Sequence, residues 1–277
     1  MAIPEGLAVS DPSIVKSSET PPFPIERYLP KVGEDARIAA ASTELIKKCM
    51  AGFQLQYQAP SASPETLDSD ENGANRPRRY GISSISLAEA NGYHLPKEFL
   101  GDKTKAQLAP HMSEAEQKVF IGDQDPLVGV KAGDKVNGKV IPQGGCSGEA
   151  QRRLNIKPRQ RMAEKINNVS FVRSQENPQV KKVFQDWSSC MANSGYSYKT
   201  PLDPLEKIVG SSPTPAEISA AKADVKCKDS VNLTGIWFAV ESKIQDELIA
   251  RNEETLNSDS KEFDALVRRA SNELATS

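Results

Sequence analysis

The chain has 277 residues and a mass of 30.1 kDa, room for one large domain or two small ones. Its 35 Lys and Arg against 37 Asp and Glu leave a formal net charge of −2, which excludes a globally basic nucleic-acid binder and a strongly acidic tail protein. Apolar residues at 38% and aromatics at 6% are sparse, so part of the chain is expected to stay outside a packed core.

The start, Met1 to Gly6, carries neither the basic residues nor the apolar run of a secretory signal, and no stretch approaches a membrane span. Residues 1–30 are rich in Ser, Pro and charge, as in Ser17-Ser18-Glu19-Thr20-Pro21-Pro22, and read as a flexible tether or an arm. A tether fits a mature form whose membrane-anchoring segment has been removed. Residues 31–277 read as one mainly helical domain.

Gly33 to Phe53 is the first predicted helix, with Ile38, Ala41, Leu45 and Cys49 at helical spacing and Gly52 as its cap. Gln54 to Arg79 is a polar, breaker-rich loop. Ser86 to Gly92 and Met112 to Ile121 read as short helices, capped by Ser86 with Glu89 and by Ser113 with Glu116. Asn137-Gly138 within Val128 to Ile141 predicts a small β-hairpin. A helix follows Gly144-Gly145-Cys146-Ser147-Gly148-Glu149 and ends near Asn155. Asn177 to Asn193 is another, with Pro178 at its first position. Thr214-Pro215-Ala216-Glu217 starts a pattern that runs to Leu256, bent near Asp229, and Ser258 or Asp259 caps a last helix. The expected fold is mainly α: an irregular helical domain with a small hairpin, long C-terminal helices and two disulfides.

Two segments repeat. Cys49-Met50-Ala51-Gly52-Phe53 and Cys190-Met191-Ala192-Asn193-Ser194-Gly195-Tyr196 both end a helix, continue through an alternating stretch with Tyr57 or Tyr198, and stop at Pro60 or Pro201. Cys146 and Cys227 follow the two copies, so the simplest pairing is Cys49–Cys146 and Cys190–Cys227; the other two connectivities stay open. No pair has zinc-finger spacing and neither His94 nor His111 stands near a cysteine, so no metal site is expected. Four scattered cysteines fit structural disulfides and an oxidising compartment, and no Cys-x-x-Cys points to redox chemistry. No cofactor is expected.

The Gly-rich turn before Glu149 can present amides to an anion, but it lacks a P-loop's Lys-Ser ending and a nucleophile elbow's spacing. A turn that lets a disulfide form and a helix start is the simpler reading. Glu149, Tyr80 and His94 are the candidates for a hydrolase acting on an envelope polymer. Arg152, Arg153, Arg159 and Arg161 form a basic run that could hold a polyanion, without the aromatics that stack bases.

Cys-Met-x-x-Gly-aromatic, Arg78-Arg79-Tyr80-Gly81, Gly144-Gly145-Cys146-x-Gly148-Glu149-Ala150-x-Arg152-Arg153 and Asp224-x-x-Cys227-Lys228 together resemble exported, lipoprotein-like proteins of actinobacteria that are uncharacterised as a group. The resemblance spans roughly Ile25 to Leu256. It implies an envelope location and no known activity. The expected function is therefore a non-catalytic secreted or envelope binding or accessory protein, acting with a transporter, another protein or an envelope polymer. The long C-terminal helix Ile236 to Leu256 and the last helix would supply the partner surface if one apolar face stays exposed. The alternatives are the hydrolase and a cytosolic scaffold with reduced thiols.

Overall fold

The computed structural model describes residues 8–59, 73–96, 112–131, 133–157 and 161–276. Its helices are α1 (Glu34–Gly52), α2 (Ile85–Asn91), α3 (Glu114–Ile121), α4 (Gly145–Leu154), α5 (Met162–Ser174), α6 (Pro178–Asn193), α7 (Asp203–Glu206), α8 (Pro215–Ser230), α9 (Leu233–Arg251) and α10 (Glu253–Ala275). The strands β1 (Lys135–Val136) and β2 (Lys139–Val140) form an antiparallel hairpin. The fold is mainly α with a small hairpin and two disulfides, as expected.

Where one body was expected over residues 31–277, the chain divides into two compact units. Unit 1 holds Met1–Pro30, Ser69–Leu100 and Gln160–Asn257, and unit 2 holds Lys31–Asp68, Gly101–Arg159 and Ser258–Ser277.

In unit 1, α9 is the central helix. Leu233, Trp237, Val240, Ile244, Leu248 and Ile249 are buried against Val180, Val183, Phe184 and Trp187 of α6 and Ile166 of α5. Each such side chain contributes about 1.5–3 kcal/mol by leaving water. Residues 8–30 form an arm on this unit. Phe23 and Ile25 are buried in its core, the Val9 amide donates to Gln179, and the Ser17 amide donates to Asp229. The predicted break in the C-terminal pattern falls at Asn232, whose backbone is left-handed at φ 52°. Its amide side chain holds the arm through Val15 and Ser13.

In unit 2, α1, α3, α4 and the end of α10 share a core of Ala41, Leu45, Met50, Val119, Ala150, Leu154 and Ala270. The hairpin turns through Asn137 (φ 47°) and Gly138 (φ 79°), as a type I′ turn requires. A side chain on Gly145 would meet the Phe120 carbonyl oxygen at 2.4 Å, so the Gly-rich turn exists to let α4 start against the end of α3. The Gly144 amide donates to Asp123 and the Gly145 amide to Pro142. The Gly148 amide donates to the Gly144 carbonyl, so three of the turn's amides are taken up within the fold.

Four local expectations change. The cap of α2 is Ser84, not Ser86, and the Glu89 side chain pairs with Lys222 of α8. The left-handed residue closing α1 is Gln54 (φ 59°), not Gly52. The last helix begins at Glu253 and runs through Ser258 and Asp259 without a new cap. The apolar face of the C-terminal helices is covered: α9 is core, Leu256 is buried, and Leu266 and Leu274 pack on the unit 2 cluster. It therefore offers no open partner surface of the kind expected. The expected polar loop over Gln54–Arg79 lies outside the described residues from 60 to 72.

Candidate functional site

The two disulfides pair as the simplest reading had it, Cys49–Cys146 and Cys190–Cys227. In unit 1 the bridge joins the end of α6 to α8. Around it lies a groove of about 480 Å³, lined by Cys190 and Ser194 of α6 and its cap, and by Ser219, Lys222, Ala223, Lys226, Cys227 and Ser230 of α8. The disulfide keeps its two walls in register.

Away from the groove lining, the same helix α8 carries a buried ion pair. Asp224 and Lys228 are fully buried on α8, 3.1 Å apart one helical turn from each other. The Trp187 indole donates to the Asp224 carboxylate at 2.8 Å, and the Lys228 ammonium donates to the Ile82 carbonyl at 2.8 Å. Burial pushes the Asp224 carboxyl above the usual aspartate range, opposed by the Lys228 charge. Burial also pushes Lys228 down, opposed by Asp224. The buried Tyr93 hydroxyl makes no hydrogen bond, and burial, with the nearby Asp224 charge, raises it far above the usual phenol range. The pair is a structural strut, since removing either partner leaves a buried charge uncompensated.

A second buried network lies under the arm. The Arg79 guanidinium is sandwiched between the Phe23 and Phe171 rings at 4.9 and 5.0 Å, and it binds Glu241, whose side chain is fully buried. Glu241 also accepts from the Tyr80 hydroxyl at 2.8 Å and from Ser170 at 3.1 Å. Every polar atom of Glu241 thus has a partner, which is what keeps a charge inside a core. Beside the arm is a hydroxyl-rich groove of about 420 Å³, lined by Ser17, Ser18, Thr20, Arg76, Pro77, Ser83, Ser84 and Leu87.

The sequence candidates are scattered. Tyr80 is a core residue, stacked on Trp237 with ring centres 4.4 Å apart, and burial and Glu241 hold its hydroxyl well above the usual range. His94 Nε2 lies 3.3 Å from Glu217 outside hydrogen-bond geometry. Both belong to unit 1, whereas Glu149 belongs to unit 2 and stands 3.6 Å from the Cys49 sulfur. That sulfur is bridged and has no proton to give, so the contact is packing. Neither groove is lined by any of the three. Of the basic run, Arg153 pairs with Glu273 at 3.6 Å, Arg161 pairs with Glu164 at 2.6 Å, and Arg152 donates to the Gln143 carbonyl at 2.7 Å. Arg159 lies outside the described residues. The run is therefore largely spent within the fold, and Arg161 falls in unit 1 while Arg152 and Arg153 fall in unit 2.

Sequence reasoning missed Lys222, Lys226 and the buried Asp224–Lys228 pair. The i, i+3, i+7 spacing of Ser219, Lys222 and Lys226 was the available signal, and on a charged helix it looks like any solvated face. Among the described residues no group of three or more His, Cys, Asp or Glu could hold a metal, and no helix is long and apolar enough to cross a membrane. Comparison with protein-family models, with curated proteins and with solved structures gave no match.

Proposed function

We propose that this protein works outside the cytoplasm as a non-catalytic binding or accessory module of the cell envelope, stapled by its two disulfides. The observation that carries the reading is the Cys190–Cys227 bridge beside an open groove edged by lysines and serines. A bridge of this kind persists in an oxidising compartment, and it holds the two groove walls without any contribution from the ligand. The resemblance to exported, lipoprotein-like proteins points the same way. The partner is an envelope polymer or an envelope protein.

The test is co-sedimentation of the native, oxidised protein with purified wall fragments and, separately, with membrane vesicles, while soluble sugar release is followed. Binding to wall fragments without release is the expected result. Release of soluble fragments would replace this reading with the hydrolase. Four free thiols in protein recovered from the envelope would remove the compartment, leaving a scaffold with reduced cysteines.

A further inference from the structure

We propose that the groove beside the Cys190–Cys227 bridge binds a phosphate-bearing polyanion through Lys222 and Lys226, with Glu89 as the chain's own competitor for those charges. The inference rests on the binding function above and names its ligand class and its residues.

Ser219, Lys222, Lys226 and Ser230 recur at helical spacing and form one stripe of α8, so the two ammonium groups stand one turn apart along the groove. A carboxylate already occupies one of them. Glu89 of α2 reaches across to Lys222 at 2.6 Å, and its side chain is half exposed. The hydrogen bond and charge of Lys222, with a smaller contribution from Lys226, hold Glu89 below the usual glutamate range. An anion is therefore favoured at this place, and the one present is loosely held on a solvated side chain.

The other acidic groups near the stripe face elsewhere. Glu217 accepts from the Tyr93 amide at 2.8 Å, Asp224 is buried with Lys228, Asp229 holds Ser17 of the arm, and Asp186 of α6 pairs with Lys182. Glu89 is the acid that opposes the groove lysines. The hydroxyls of Ser194, Ser219 and Ser230 donate to carbonyls of their own helices. These are weak local bonds, and the hydroxyls rotate readily to a charged acceptor.

The lining selects among anions. It contains no aromatic ring, so it offers neither a base-stacking platform nor a face for a neutral sugar. Ammonium groups flanked by hydroxyls suit phosphate, which accepts several hydrogen bonds at once. Two lysines one turn apart suit repeated phosphates better than a single one.

The test is isothermal titration of the intact, oxidised protein with inorganic polyphosphate. Dextran serves as the neutral control and polygalacturonate as the carboxylate control. Replacing both Lys222 and Lys226 by Ala should weaken binding by about tenfold or more. Glu89→Gln should tighten it by about two- to fivefold, the size of an exposed ion pair removed from competition. All three side chains reach solvent, so the variants should keep their fold and both disulfides, checked by circular dichroism and mass. No binding of polyphosphate, unchanged affinity in the double lysine variant, or no tightening in Glu89→Gln would each overturn the proposal. Equal affinity for polygalacturonate would overturn the phosphate assignment. If the double lysine variant still co-sediments with wall fragments as the parent does, the envelope-binding function stands and this groove is not its site.

Discussion

The disulfide modules of the two units are built to one plan and finished differently. In each, a helix ends at Cys-Met-Ala, and the methionine, Met50 or Met191, is fully buried. The amide six residues after each cysteine, Leu55 or Tyr196, returns to that methionine's carbonyl, at 3.1 Å in unit 2 and 2.9 Å in unit 1. A tyrosine two residues later lies over an aromatic ring, Tyr57 on Phe120 and Tyr198 on Trp187. The first cysteine is half-buried and its partner fully buried in both. The residue three after the second cysteine, Glu149 or Ser230, touches the first cysteine's sulfur at 3.6 or 3.9 Å. The differences lie around the second cysteine. Unit 1 places Asp224 and Lys228 three residues before and one after Cys227, whereas unit 2 has the uncharged Gln143 and Ser147 there. The staple and the helix end are thus shared, while the second cysteine is flanked by a buried ion pair in unit 1 and by uncharged residues in unit 2. Glu149 therefore reads as the counterpart of a serine in a staple, a role that needs no catalysis.

Removing the bridges gives the largest expected effects. Replacing Cys49 and Cys146 by Ala should cost about 4 to 5 kcal/mol for a separation of 97 residues, and replacing Cys190 and Cys227 about 4 kcal/mol for 37. Hydrogen exchange should rise in the helices of the unit that lost its bridge. Equal loss of protection throughout both units would show that they do not open separately.

The ion pair comes next. Lys228→Met alone should cost about 3–5 kcal/mol, and most of this should return when Asp224→Leu is added, read from denaturant midpoints. Ser147→Ala in unit 2 should stay within about 0.5 kcal/mol. The Lys228→Met deficit should depend on pH. Without its partner, Asp224 keeps a folded-state pKa above the unfolded value. Its contribution is then present at pH below the ordinary aspartate range and lost as pH rises through the raised value. The variant should accordingly lie closest to the parent in acid and fall behind toward neutrality. A deficit independent of pH would mean that Asp224 is not the group left charged.

The helix ends give a smaller and opposite pair of effects. Gln54 holds φ 59° where the other copy has Gly195 at φ 89°. Gln54→Gly should stabilise by about 0.5–1 kcal/mol, and Gly195→Ala should destabilise by about 1 kcal/mol, its Cβ otherwise meeting open space. Matching signs would break the equivalence of the two caps. Smallest of all, Glu149→Gln and Ser230→Ala should each change stability by less than about 0.5 kcal/mol. A larger loss for Glu149→Gln would give that carboxylate a role beyond packing on the sulfur.

Much of the fold was legible in the sequence where neighbours within a few residues decide. The capping box of Ser113 and Glu116, the Thr214 cap, Pro178 at the start of α6 and the Asn137-Gly138 hairpin all formed as read. Helix α5 was not read, and its inner face shows why. Ala163 and Ile166 share that face with the buried Asn167, Ser170 and Ser174. The two serines find their partners far along the chain, Ser170 in Glu241 and Ser174 in the Trp237 indole. Apolar periodicity is therefore absent from the helix that carries them. Tyr80 misled for a related reason: its polar tip suggested chemistry, but Glu241 takes it up 161 positions along the chain.

By itself the sequence determined the helical character, the hairpin, the repeated Cys-Met-Ala helix ends and the simplest cysteine pairing. Each follows from short-range spacing, turn chemistry or the order of two like segments. Only the tertiary structure decided which charges go inside and which line a groove. Lys228 and Lys222 lie on one helix, and Asp224 one turn from Lys228 marks it as paired without saying that the pair is buried, since such pairs usually sit in solvent. Lys228 is buried because Asp224 and the Ile82 carbonyl meet it there, and Lys222 faces Glu89 in solvent. Burying this pair depends on the Ile82 carbonyl and the Trp187 indole, which the chain brings from a distance, and spacing along a single helix does not encode them.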